Sequence, residues 1–410
     1  MFIISLLKLL IWANFVYCCS RNSGLQSKDD IIHSDDPRIS YVGRFSSDGT
    51  GSSSRRHFGW PGTQIKVRFQ GSWIKASLKG SSGSLGAGRG DAFLVIVESH
   101  SLNQSTSNIT SRIEVKSSSF QEYVLADGLS PEQEHRLSLW KVTEEEALFS
   151  VLRPSPSAGF SYFKSDGEFT SPNTQQNKKR KLEFIGDSDT AGYCADGKPD
   201  DLDPRMRATE NTFATWAVQV AQYFDADSMI EAVSGYTVMG KTGMINFWRR
   251  TLPAFKTSET NPEWDFSSWV PDAVILLIGP NDFAMGHHPD TREFINEYKA
   301  LMEDIVDAYT TNSLSSSQLQ SIPLMPKIIH VCGGSGNGFD PCEAIQIANN
   351  EFNKDRTDGF EGFYTSMTHE TWEKINNDVE FLGCHSHYNR EGHAKLAEET
   401  REQIAMIMGW

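Results

Sequence analysis

Four short blocks of the 410-residue chain carry the residue types of acyl-transfer chemistry. They are Phe184-Ile185-Gly186-Asp187-Ser188, Ser234-Gly235-Tyr236, Gly279-Pro280-Asn281-Asp282 and His387-Tyr388-Asn389-Arg390-Glu391-Gly392-His393. A serine hydroxyl is a poor nucleophile until an adjacent imidazole takes its proton. The oxyanion that then develops needs preorganised donors: glycine lets a backbone N–H approach substrate closely, and an asparagine amide donates without titrating. Each block alone has a plainer reading. A serine after Gly-Asp at a strand end is a common helix cap, Asn-Asp is ordinary turn chemistry, and a loop histidine is commonly a surface group.

The blocks fall at the ends of predicted elements. Residues 182–185 read as a strand running into Ser188, and 229–233 as a strand ending near Gly235. The run 273–278 is continuously apolar, as in a parallel strand covered on both faces, and 327–331 is a further strand. Helical spacing appears over 212–224. Asp290-Thr291-Arg292-Glu293 resembles a capping box opening a helix to about 309, and a terminal helix is expected over 392–408. Strands alternating with helices predict a doubly wound α/β domain over 180–410, with its sites at the carboxyl ends of the strands. Before it, 37–165 shows period-two alternation at 64–69, 73–78, 93–97, 113–115, 136–140 and 147–152, the pattern of a β-sandwich. Residues 46–54 and 80–90 read as Ser/Gly-rich loops, and the polar stretch 165–179 as the domain boundary.

Residues 1–20 are apolar with one internal charge, Lys8, and read as a secretory signal peptide, with a retained membrane anchor as the alternative because Tyr17-Cys18-Cys19 is a poor small-residue cleavage site. Once it is cleaved, the protein is expected to be secreted and free of the membrane. The sequons at Asn103 and Asn108 agree with that route and with an exposed loop. Four cysteines then remain, and an oxidising compartment favours disulfides. Four cysteines allow three connectivities, all of them open at this point, and Cys332–Cys342 with Cys194–Cys384 is the one taken as the expectation. The rival is zinc at Cys384-His385-Ser386-His387, but other metal-site spacing is missing, so no metal is expected. With 38 Lys and Arg against 53 Asp and Glu, the formal charge of −15 argues against a nucleic-acid partner. A neutral polymer remains open.

Taken in order, the four blocks resemble the SGNH (GDSL) hydrolases. The resemblance implies Ser188 as nucleophile, His387 as general base, and the N–H groups of Ser188 and Gly235 with the Asn281 side chain as oxyanion donors. A narrower resemblance rests on Phe58-Gly59-Trp60-Pro61-Gly62-Thr63-Gln64-Ile65, Val67-Arg68-Phe69-Gln70-Gly71, Asp127-Gly128-Leu129 and His135-Arg136-Leu137-Ser138-Leu139. These look like carbohydrate esterase family two, acetyl esterases of polysaccharides with a jelly-roll domain ahead of the SGNH domain. It implies an acetylated polysaccharide or oligosaccharide substrate and no cofactor; a monomer is the working expectation.

The sequence also departs from that family. Pro280 stands where Thr is common, Asp189 where an apolar residue follows the nucleophile, and Tyr388 where Pro follows the base. His385 occupies the place of the usual orienting Asp. A Ser–His dyad oriented by a backbone carbonyl is the favoured reading, with Asp189 and Asp282 as alternative orienting acids. His385 and His393 compete with His387 as base, although His393 reads as structural. Tyr193, Phe283, Trp372 and Tyr388 are candidates for stacking on sugar, and each also suits core packing. Two other readings stay open: a carbohydrate-binding protein with a weakened or inactive site, and a lipid esterase.

Overall fold

The computed structural model describes residues 29–81, 90–101, 104–145, 157–171, 180–201, 207–253, 263–284, 289–313, 325–334 and 341–410. The expected leader, Asn103 and the strand expected over 147–152 lie outside them.

The first part is two antiparallel sheets of six strands each. One runs Ser46–Asp48, Arg55–Phe58, Ala158–Ser165, Ile74–Lys79, Gln121–Ala126, and Asp30–His33 also pairs with Ala158–Ser165. The other runs Phe169–Thr170, Gln64–Gln70, Glu134–Lys141, Asp91–Ser101, Gln104–Val115, with Ser40–Val42 pairing Gln64–Gln70. Alternation is the cause: Ile65, Val67 and Phe69 face inward while Lys66 and Arg68 stay half-exposed. Three expectations are corrected. Residues 46–54 hold a strand and a short 3-10 turn rather than loop alone. The sandwich also reaches past 165, because Phe169 pairs with Phe69 and is buried in the same core. Asn108 is exposed on the strand Gln104–Val115, not on a loop.

The second part is a five-stranded, all-parallel sheet in the order Ala226–Ala232, Arg180–Gly186, Ala273–Leu277, Lys327–Cys332, Gly362–Ser366. Helices Thr291–Ser313 and Cys342–Asn353 pack on one face around Phe294, Leu301, Ile305 and Ile345. Trp216–Tyr223 and Arg390–Met408 cover the other, around Trp216, Val220, Leu396 and Ile404. Both faces are covered, so the fold is doubly wound. The helix expected over 212–224 is broken, since Thr215 caps Trp216–Tyr223 with its own side chain and leaves Thr212–Ala214 as a 3-10 turn. Among the described residues no helix is long and apolar enough to cross a membrane.

A buried clamp joins the two parts. Arg44, from the turn after Ser40–Val42, lies 2.7 Å from Glu183 and 3.1 Å from Glu231 on the parallel sheet, with all three side chains essentially unexposed. Arg44 also donates to the carbonyl of Trp248, and Tyr309 donates to Glu183. Burial pushes the Glu231 carboxyl well above its usual range, and the guanidinium opposes that shift.

Candidate active site

The parallel strand Arg180–Gly186 ends in a forced turn. A Cβ on Gly186 would stand 2.2 Å from Thr190 Oγ1 and 2.9 Å from the Leu277 carbonyl, so only glycine fits there. Asp187 then caps a one-turn helix, Ser188–Ala191, its carboxylate accepting the Asp189 N–H at 3.2 Å. Ser188 opens that turn, 6% exposed, at the carboxyl end of the sheet.

The histidine arrives from the far end of the sequence. Nε2 of His387 is 2.9 Å from Ser188 Oγ, and its Nδ1 is 3.0 Å from the carbonyl oxygen of His385. A carbonyl only accepts, so Nδ1 carries the proton and neutral Nε2 is left to accept from the serine hydroxyl. Two consecutive non-glycine residues in the left-handed region, His385 at φ 53° and Ser386 at φ 59°, turn that carbonyl inward. Each such residue costs roughly 1–3 kcal/mol and persists only where its surroundings enforce it. Several contacts do so here. Cys384 is disulfide-bonded to Cys194, the Gly383 N–H donates to the His387 carbonyl at 2.7 Å, and the Tyr193 hydroxyl lies 3.0 Å from His385 Nδ1. The Tyr193 ring packs 4.5 Å from that of His387.

Gly235 follows strand Ala226–Ala232 with φ 77°, its backbone exposed. Asn281 lies in the short helix Pro280–Phe283, where Gly279 at φ 128° turns the chain and Pro280 fits the first helical position. The Asn281 amide donates to the Tyr236 carbonyl at 2.9 Å and to Asp187 at 3.2 Å, tying the Gly235 loop to the nucleophile's cap. Burial, with the Asp189 and Asp282 charges added, raises the Asp187 carboxyl well above its usual range.

Several expected residues stand elsewhere. Asp282 does not orient the imidazole: its carboxylate accepts the N–H groups of Val238 and Met239, and burial raises it to about 6. Asp189 is buried toward the end of Lys327–Cys332, its Oδ2 3.3 Å from where a Cβ on Gly334 would stand, while the ring nitrogen faces the His385 carbonyl. Tyr388 is fully buried beneath the site, and a ring without exposed surface offers no sugar platform. Phe283 is core, 5.0 Å from Phe294, and Trp372 packs against the helical layer with His369 stacked on it. Only Tyr193 of the four aromatics touches the dyad. His393 is buried, with burial lowering it to about 4. Cys384 has no thiolate to offer zinc, being bonded to Cys194, and Cys332 is bonded to Cys342. Sequence reasoning missed Glu144, whose side chain accepts the N–H of Ser234, the residue before Gly235.

Residues 184–395 match the GDSL-like lipase/acylhydrolase family, and residues 41–153 match the carbohydrate esterase 2 N-terminal domain. An acetylxylan esterase / glucomannan deacetylase of Cellvibrio japonicus is 22% identical, covering 98% of each chain. A cellulase/esterase of Acetivibrio thermocellus is 29% identical over 66% of this chain, which spans only 30% of that longer protein. Among solved structures, a family two carbohydrate esterase from Cellvibrio japonicus superposes with TM-score 0.70 at 23% identity, over 93% of this chain and 99% of that one. An acetyl xylan esterase from Butyrivibrio proteoclasticus gives TM-score 0.71 at 18% identity, over 93% and 100%. These structures share the fold, an all-β domain followed by the parallel sheet. With the first match taking in more than half its length, the chain belongs to the GDSL-like lipase/acylhydrolase family and carries the N-terminal domain of the family two carbohydrate esterases.

Proposed function

We propose that the protein is a secreted serine esterase that removes O-acetyl groups from polysaccharides or their oligosaccharides through an acyl-enzyme. The observation that carries the reading is the 2.9 Å approach of His387 Nε2 to Ser188 Oγ, with Nδ1 held by a carbonyl. Ser188 attacks the acetyl carbonyl as His387 takes its proton. The N–H groups of Ser188 and Gly235 receive the oxyanion, joined by Asn281, whose longer bond to Asp187 is the one that yields. His387 then protonates the departing sugar oxygen, and water, activated by the same imidazole, releases acetate and frees Ser188. Nothing in this cycle calls for a metal or an organic cofactor. The names of the relatives support acetylated xylan or glucomannan as substrate, and the apolar leader with two disulfides supports export.

The test is acetate release from acetylated xylan and glucomannan by wild type and Ser188→Ala. Loss of the nucleophile is expected to lower turnover by about a thousandfold or more. Equal rates would end the esterase reading. Glucan or xylan binding without acetate release would select a sugar-binding protein instead, and activity rising with acyl length would select a lipid esterase.

A further inference from the structure

The chain leaving the sandwich strand Glu134–Lys141 runs over the second domain toward the site. The Val142 carbonyl accepts the Thr212 N–H at 3.0 Å and shares the Thr212 hydroxyl with the carbonyl of Ala191, the last residue of the nucleophile's helical turn. Two residues on, Glu144 donates its own N–H to Glu210 and accepts, through Oε2, the N–H of Ser234. Strand Ala226–Ala232 has ended by then, so its ladder offers the Ser234 amide no partner. The acceptor comes from the other domain.

We infer that Glu144 is a positioning residue for the oxyanion side of the site, an inference that rests on the esterase reading above. Fixing the Ser234 N–H sets the plane of one peptide and leaves the next, which carries the Gly235 N–H, two torsions from a fixed frame. Gly235, at φ 77° and without a side chain, is held from beyond by Tyr236, whose N–H donates to the Val233 carbonyl at 3.2 Å and whose carbonyl accepts from Asn281, and Glu144 fixes the side before it. The same carboxylate bears on Tyr193, whose hydroxyl contacts His385 in the base loop. Burial, then the Glu144 and Glu210 charges, push that phenol up to about 12, so it stays protonated. Glu144 is itself held from behind, since Glu210 takes its N–H. The sandwich thereby supplies part of the catalytic framework in addition to any wall of the cleft. An amide donor aimed at developing charge is worth about 10²–10³ in turnover, and an imprecisely aimed one loses part of that.

Full-length wild type, Glu144→Ala, Glu144→Asp and Glu144→Gln decide the matter, with kcat and KM measured on 4-nitrophenyl acetate, a substrate without sugar contacts. Inhibition by methylboronic acid, which mimics the tetrahedral adduct, is measured alongside. Glu144→Ala is expected to lose about 10- to 100-fold in kcat with KM within about two-fold, and to weaken boronate binding by a similar factor. Glu144→Asp pulls the acceptor back by one methylene and is expected to behave likewise. Glu144→Gln keeps an acceptor oxygen at full reach and is expected to stay within about five-fold of wild type. A folded Ala or Asp variant with wild-type kcat overturns the inference, as does a Gln variant as impaired as Ala. If Ala does not fold, Asp answers the same question. Ser188→Ala sets the background: wild type no faster than it removes the esterase reading, whereas wild type well above it and equal to Glu144→Ala removes only this inference.

Discussion

His387 takes its orientation from a main-chain oxygen, and this changes what the side chain at 385 must do. The carbonyl survives any substitution that tolerates a left-handed backbone, and asparagine does so better than most residues. His385→Asn is therefore expected to cost less than about tenfold in kcat, while His387→Ala costs about a thousandfold or more, measured as initial rates on an acetyl ester. A large loss in His385→Asn would show that the imidazole side chain, not the carbonyl, sets the base. The ordered serine, glycine, asparagine and histidine blocks were legible because their types are chemically distinctive. The positive φ at His385 was not, since nothing in Cys-His-Ser-His marks a left-handed turn. Nor could the sequence separate Tyr193 from Tyr388: both suit stacking, and only the fold puts one beside His387 and the other in the core. Glu144 lay hidden in the acidic run Glu144-Glu145-Glu146, where nothing in the residue types marks one carboxylate as the acceptor of a distant backbone N–H.

At the scale of elements, the docking of sheet on sandwich depends on Arg44. Removing it leaves Glu183 and Glu231 facing each other in a dry interior, and breaking a buried pair from one side costs about 3–5 kcal/mol. Arg44→Met is expected to lower unfolding free energy by that amount in urea titrations; a change below about 1 kcal/mol would mean water reaches the carboxylates. Triple substitution to apolar residues of similar volume is expected to recover most of the loss. Long alternating or continuously apolar strands were visible in the sequence, each having a face to bury. Strand Gly362–Ser366 and helices Cys342–Asn353 and His369–Asn377 were not, because their patterns are short or mixed and packing decides them. Arg44 gave no signal at all, its partners lying 139 and 187 positions away.

For the molecule as a whole, stability is coupled to pH through Glu145, which lies in the same interdomain segment. Burial raises its carboxyl from the ordinary 4.5 to about 8. The folded state therefore holds this proton more tightly than the unfolded chain does. Its stabilising contribution is complete below about pH 4.5 and is lost as pH rises through about 8. Glu145→Gln, which mimics the protonated form, is expected to flatten that loss: little change in Tm at pH 5 and a gain of a few degrees at pH 8 by calorimetry. A parallel downward shift at both pH values would contradict the assignment.

The Cys194–Cys384 bridge, spanning 190 positions, imposes a schedule on biosynthesis. At about 5–20 residues per second, Cys384 emerges from the ribosome roughly 10–40 s after Cys194. In that interval Cys332 and Cys342 also appear, and either thiol is free to capture the waiting Cys194. The base loop cannot be locked beside the serine until its sulfur has arrived last and any earlier mispairing has been exchanged away. Completion of the proposed site thus waits on its last cysteine, and it requires conditions that both oxidise thiols and reshuffle them.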